Sequence, residues 1–314
     1  MDLKIVRQVL TWGTGDLLFI NDLFPKDWNA FFIGRDMQYL KAPSDALKIS
    51  IFHSLANLDL VYTPRFDADR YPDRARLSSW DPMAQDIVGR NDPLLVQLPR
   101  GGLTRGEFAG RLYRRLGGYE LAAYGYRGYW KSPSGVDANS GRYSFPVLSV
   151  YGASIRRVLW GGVANAEGGY FDSRTDREGD NPLVRNSEVR GLVGFERDLG
   201  GGLSLGSQYY VEYLRNYQAH RNSLGGLSTL GERARHVLTA RVRYLAMNQN
   251  LQLSFFGFLS PNEKDSFVMP AASYAIDDHW NVSLGANIAR GAEYTMFGQL
   301  HANSNVHASL RSSW

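Results

Sequence analysis

Hydrophobicity alternates in this chain with a period of two, in one stretch after another. In RHVLTARVRYLA (235–246), His236, Leu238, Ala240, Val242 and Tyr244 share one face, and Arg235, Thr239, Arg241 and Arg243 share the other. In LQLSFFGFLS (251–260), Leu251, Leu253, Phe255, Gly257 and Leu259 fall together. LSLGSQYYVEY and WNVSLGANI repeat the pattern, with Leu203, Leu205, Tyr209, Val211 and Tyr213 on the apolar face of one and Trp280, Val282, Leu284, Ala286 and Ile288 on that of the other. Side chains point to opposite faces of a strand with period two, whereas a helix needs 3.6. A chain built this way folds as strands with one greasy face and one wet face.

The alternation predicts strands at 3–12, 47–54, 58–64, 106–116, 119–130, 146–158, 160–171, 187–198, 203–215, 234–246, 250–260, 266–276, 280–290 and 305–314. Short turns such as LGG, LWGG and MNQN alternate with long connections at 13–46, 65–105, 131–145, 172–186, 216–233 and 291–304, with a shorter SPNEKD at 260–265. Strict short/long alternation over an even number of strands predicts an all-β, antiparallel up-and-down transmembrane β-barrel of about 14 strands. Its short turns would be periplasmic and its long loops outside, and residues 1–314 would form a single domain. A soluble β-sandwich is the alternative, but it gives no reason for the loop alternation. Nor does it account for aromatics near strand ends: Tyr129, Trp130, Trp160, Tyr170, Tyr213, Tyr244 and Trp280. Amphipathic rings settle at a lipid headgroup interface.

Bulk properties agree. No stretch reaches the roughly 18 apolar residues a membrane helix needs, and mean hydropathy is −0.32, which alternation explains. There are 33 glycines and 18 tyrosines, as expected for many tight turns and aromatic girdles. The absence of cysteine excludes a disulfide framework and thiolate chemistry. A net charge of +4 gives no ground for a nucleic-acid partner. The start, MDLKIVRQVL, lacks the regions of a signal peptide. An exported chain would have lost its leader, or would be a fragment of something longer.

Two segments carry a family resemblance. The last ten residues, NVHASLRSSW, alternate to the final Trp314. They resemble the C-terminal signal by which bacterial barrel-assembly machinery recognises its clients, with Trp314 in place of the more usual Phe and Ser312 where an aromatic is often found. RQVLTWGTGDLLFINDLFPKDW near the start resembles the RQ…WG…D…P-D segment of porin-like outer-membrane families. The resemblance implies a Gram-negative outer-membrane location, with the lipid bilayer, the assembly machinery and small solutes as partners. It implies no site residues.

A barrel this wide leaves a lumen unless loops plug it. The expected lining is Arg111, Arg127, Arg190, Arg235, Arg241, Arg243 and Arg311, with Glu167 and Glu212 among the carboxylates facing them. Arg in low-dielectric walls attracts anions, so a porin for small hydrophilic, anionic solutes is the leading reading. The blander one is an Arg–Glu ladder that neutralises itself. Loop 65–105 alternates Arg65, Asp67, Asp69, Arg70, Asp73, Arg74 and Arg76, and is a candidate constriction loop. A helical turn is expected at Asp81-Pro82. The aspartates there lack the central Gly and closing Glu of a calcium loop, so no metal and no cofactor is expected. Loop 13–46 is apolar, with Leu17, Phe19, Ile20, Phe24, Trp28, Phe31 and Phe32. It needs cover, as a partial plug, a greasy ligand site or a protein contact. A channel for hydrophobic compounds is therefore the second reading. A lipid hydrolase using His307 and Ser309 is a third; both would sit on the lumen face with Arg311, away from lipid.

Overall fold

The structure is a computed structural model that describes residues 1–102, 105–225 and 231–313. Trp314, which completes the C-terminal signal, lies outside the described residues. So do two positions of loop 65–105 and 226–230.

Fourteen strands form one sheet in which each pairs antiparallel with its neighbours in sequence. They are β1 Asp2–Val9, β2 Pro43–Ile51, β3 Asn57–Thr63, β4 Glu107–Leu116 and β5 Tyr119–Tyr129. β6 Val147–Leu159, β7 Gly162–Ser173, β8 Glu188–Gly200, β9 Leu203–Leu214 and β10 Ala234–Ala246 follow. β11 Leu251–Ser260, β12 Asp265–Ala275, β13 Trp280–Arg290 and β14 Asn305–Ser312 complete the set. The up-and-down architecture is as the alternation predicts. Where turns are tightest the backbone is left-handed at both positions, as at Trp160 (φ 50) and Gly161 (φ 73). That geometry matches the twist of the flanking strands.

The sheet cannot be flat. Fourteen strands about 4.8 Å apart would span about 60 Å. Yet one stretch of chain touches both ends of the series. Leu10, Trp12 and Phe24 pack on Ala46 of β2, Val61 of β3 and Tyr124 of β5. Only eight residues after Phe24, the Phe32 carbonyl accepts from Asn287 of β13 (2.9 Å) and Asn305 of β14 (2.8 Å). The wall therefore curls round the segment between β1 and β2. Pairing between β1 and β14 is absent among the described residues.

The two faces differ as the sequence requires. Leu60, Phe108, Leu112, Tyr151, Val193, Leu253, Leu284 and Leu310 are exposed on the convex face. Val61, Tyr124, Val150, Leu192, Tyr210 and Val237 are buried on the concave one.

The bounds of the first two strands are corrected: the second runs Pro43–Ile51, not 47–54. The first strand ends at Val9, not at residue 12. Leu10 and Trp12 leave the sheet because they are buried in the interior, against Phe24 and Tyr124. The expected helical turn at Asp81-Pro82 is instead the bend of a small hairpin, Ser79–Asp81 with Asp86–Val88. Asp81 does cap it, accepting from Met83 N at 2.7 Å and Ala84 N at 3.1 Å. Burial pushes that carboxyl up, but the two N–H bonds and Arg74 outweigh it and hold it below the ordinary range.

Candidate functional site

The segment 10–42 lies along the concave face. It dips to Asp16, which meets Arg241 on the short-turn half of β10, and its Asp16 N–H donates to Gln208 Oε1 at 3.1 Å. It then climbs back through helix α1 (Trp28–Phe32) to β2. On the long-loop half, Leu17, Ile20, Phe31 and Phe32 join Phe171, Tyr210, Val237, Phe258, Phe267 and Phe297 in one apolar cluster. Phe31 and Phe32 both pack on the Phe267 ring, at 5.8 and 5.5 Å between centroids. Apolar residues at consecutive positions need burial on all sides, and the wall's inward aromatics supply it.

A single carboxylate on β7 pins the segment at its lowest point. Glu167 Oε2 accepts from Thr14 N (2.6 Å), Thr14 Oγ1 (3.0 Å) and Gly15 N (3.1 Å). Its Oε1 accepts from Asn21 N (2.7 Å) and Asn21 Nδ2 (3.0 Å). Glu167 is 5% exposed and has no cationic partner among the described residues. Its charge is stabilised by oriented N–H dipoles, as in an anion-binding nest. Gly13 makes the approach possible: its φ is +82, and a Cβ there would sit 2.8 Å from Glu167 Oε1. Asn165, also on β7, donates to the Thr14 carbonyl at 2.7 Å.

The segment also carries a carboxylate of its own, Asp16. Burial raises its carboxyl above the ordinary range, Arg241 opposes this and Glu196 adds to it. The docked segment therefore holds that proton more tightly than a released one. The contribution is fully present below the ordinary carboxylate range and is lost as pH rises through the raised value. Tryptic cleavage after Lys26 is accordingly expected to quicken as pH rises through this window. Asp16→Asn should flatten that dependence without releasing the segment. An unchanged pH profile in Asp16→Asn would refute the assignment.

Loop 65–105 grips the segment rather than the lumen. Asp69 accepts from Lys26 N (2.8 Å), Trp28 Nε1 (3.1 Å) and Ser132 Oγ (2.7 Å). Arg70 bonds Asp27 at 2.8 Å, while the other Asp27 oxygen caps α1 through Ala30 N at 2.8 Å. Arg74 is buried, bridges Asp81 (2.7 Å) and Asp92 (3.7 Å), and lies over the Tyr143 ring. Arg65, Asp73 and Arg76 are exposed, and Asp67 is half-buried, its carbonyl accepting from Lys131.

The wall arginines fall into three groups. Arg190 pairs with Glu188 (2.7 Å) and Glu212 (3.3 Å), and Arg235 with Glu263 (3.4 Å). Glu212 also holds Arg185 at 3.1 Å and the Tyr210 hydroxyl at 2.8 Å. Arg241 is taken by Asp16. These pairs realise the self-neutralising ladder. Arg243 and Arg311 are exposed on the concave side near the short turns, with no ion pair among the described residues. Arg111 stacks on Tyr113 at 4.3 Å. Arg127 is a correction: it shares the convex face with Leu121 and stands opposite exposed Phe108, so it does not face the interior. Trp130 is a second: it is buried and stacked on Phe171, not part of an outer girdle.

The hydrolase constellation is not assembled. Ser309 Oγ bonds Ser283 Oγ at 2.7 Å, and His307 Nδ1 has no hydrogen-bond partner among the described residues. Among the described residues no group of three or more side chains could hold a metal ion.

Beneath Asp16 lies a space of about 580 Å³ between the segment and β6 to β10, its lining mixed: Arg156, Glu196, Gln208 and Arg243 beside Val158 and Val163. Sequence reasoning missed Asp16, Asn21, Arg156, Asn165 and Gln208. One signal was readable: Glu167 stands alone between Ala166 and Gly168-Gly169, small neighbours that let a backbone come close.

No family model matches the chain, and no curated protein matches it. Among solved structures it is similar to a mutant of the Rh. blastica porin: 13% identity, 88% of this chain, 78% of that one, TM-score 0.42. A porin refined at 1.8 Å resolution is similar at 8% identity, 82% of this chain, 90% of that one, TM-score 0.42. Superposition at this level carries no functional information.

Proposed function

We propose that this chain is a bacterial outer-membrane channel for small hydrophilic solutes, with passage controlled by the inserted segment 10–42. The observation that carries the reading is the pairing of an exposed apolar face with a space on the opposite, concave side whose lining carries charged side chains. Exposed apolar area running across fourteen strands far exceeds what a soluble monomer shows, and hydrocarbon is the medium that covers it. The lipid bilayer and the assembly machinery are then its partners, and no chemistry at Ser309 is required. A channel for hydrophobic compounds is less favoured, because the apolar residues of the segment are packed in the cluster while the space beneath them carries Arg156, Glu196 and Arg243.

The test is planar-bilayer conductance of the intact chain against a variant with 13–42 replaced by a Gly/Ser linker. The intact chain is expected to conduct weakly and the variant strongly. Absence of conductance from both, with the sheet intact by circular dichroism, would overturn the reading.

Selectivity then rests on the wall arginines without an ion pair, Arg243 and Arg311 among them, since Arg190, Arg235 and Arg241 are paired. Charge rings act through their unpaired members. Arg243→Glu is therefore expected to move the reversal potential in a KCl gradient towards cations, and Arg190→Gln to move it much less. Equal shifts would mean that pairing does not govern selectivity.

A further inference from the structure

We infer that the space beneath Asp16 is a binding site for a small zwitterion of the α-amino acid type, an inference that rests on the channel reading and names its substrate class. The register lays out the site. One row across the wall reads Arg156, Asn165, Gly194, Gln208, Thr239. The next, towards the short turns, reads Val163, Glu196, Gly206, Arg241. The last reads Asp198, Ser204, Arg243.

Gly206 has no side chain, so a notch opens between Glu196 on β8 and Arg241 on β10, two strands apart or about 10 Å. Arg241 is committed to Asp16, and its Nε is buried without a partner. Asn165 and Gln208 are held by the Thr14 carbonyl and the Asp16 N–H. The roof therefore fixes both amides, and their remaining polar atoms close over Gly194, Asn165 Oδ1 and Gln208 Nε2 both lying against the position a Cβ would take there. Five charges of the lining have no ion pair among the described residues: Arg156, Glu196, Arg197, Asp198 and Arg243. Arg197 shares the convex face with Val193, and Asp198 accepts from Gly200 N at 2.8 Å, which leaves Arg156, Glu196 and Arg243.

Those leftovers define the ligand. Guanidinium groups accept a carboxylate through paired N–H donors, and Glu196 accepts an ammonium. Arg156 and Arg243 each lie two strands from Glu196 and one row off it, a separation of about 12 Å between backbones. An arginine and a glutamate reaching towards each other across that distance leave a gap of a few ångströms. That gap suits the short span between an α-ammonium and its carboxylate. A simple anion meets the arginines but leaves Glu196 repelling it. A simple cation meets the reverse.

The test is titration calorimetry of the detergent-solubilised full chain with L-alanine, acetate and methylamine as probes. Saturable alanine binding is expected, with acetate and methylamine at least tenfold weaker. Glu196→Gln should abolish the preference for alanine over acetate, and Glu196→Asp, which keeps the charge, should restore it. Arg243→Gln should weaken alanine and acetate alike. Circular dichroism confirms that each variant retains its sheet. No alanine binding, equal binding of alanine and acetate, or a preference that survives Glu196→Gln would overturn the assignment. Alanine binding by a chain that does not conduct leaves the site standing and removes the channel reading. Conductance without alanine binding does the reverse.

Discussion

Glu167→Ala is expected to release residues 14–21 from the wall and turn a weakly conducting chain into a strongly conducting one. Five hydrogen bonds converge on that carboxylate, three of them from backbone N–H groups. A buried donor left unpaired costs about 1–3 kcal/mol, so three of them cost on the order of 5 kcal/mol. That is about as large as the net worth of the other polar anchors of 14–21, Asp16–Arg241, Asp16 N–Gln208, Asn165–Thr14 and Asn21–Gly168, at about 0.5–1.5 kcal/mol each, so docking is expected to fail. Glu167→Gln should be nearly as disruptive, because its amide turns a donor towards donors. Two readouts check this. Conductance should rise, and trypsin should cut after Lys26, which is 3% exposed and bonded to Asp22 at 3.0 Å while the segment is docked. The sheet itself should survive, since Glu167's backbone pairing on β7 is untouched by the side chain. Unaltered conductance together with unaltered cleavage would show that Glu167 does not hold the segment.

How much of this was legible follows from what alternation encodes. It reports which residues face opposite ways, and so the strands and their register could be read from His236, Leu238 and Tyr244 against Arg235, Thr239 and Arg241. It does not report what covers the second face. Taking that face as wet throughout hid the apolar cluster, although LQLSFFGFLS carries the clue: Phe255 and Phe256, then Phe258 and Leu259, are apolar on both parities. Such a strand half has an apolar neighbour on its inner face as well: Phe256 and Phe258 are buried in the cluster while Phe255 and Leu259 stay exposed on the convex side. The same assumption misplaced Arg127. In AYGYRGYW the inward positions are Tyr124 and Tyr126, both buried, so the charged residue is the outward one. Its guanidinium lies 3.3 Å from Ser149 Oγ, its cross-strand neighbour on β6. The site was less legible than the fold because it depends on tertiary partners. Nothing local in GTGD announces that a strand far along the chain will supply the carboxylate.

Leu284→Arg and Leu253→Arg are expected to abolish assembly, while Ser283→Arg should be tolerated. Leu253 of β11, Ala272 of β12, Leu284 of β13 and Ala308 of β14 form one row on the convex face. Leu253 is 42% and Leu284 57% exposed. If hydrocarbon covers that face, an arginine at the bilayer midplane costs about 2–4 kcal/mol, falling towards 0–1 near the interfaces. Leu284 lies in the middle of β13 and should suffer the most. Its neighbour Ser283 points the other way, opposite Ser309 and within the wet side, so an arginine there meets water. A one-residue change of register exchanges the fates of 283 and 284, because side chains swap faces at every step. The contrast therefore tests the register and the membrane together. Refolding into lipid vesicles, followed by heat-modifiable gel mobility, separates folded from unfolded chain for each variant. Normal assembly of both leucine variants would mean that the convex face is not against lipid. Failure of Ser283→Arg alone would mean that the two faces are assigned the wrong way round.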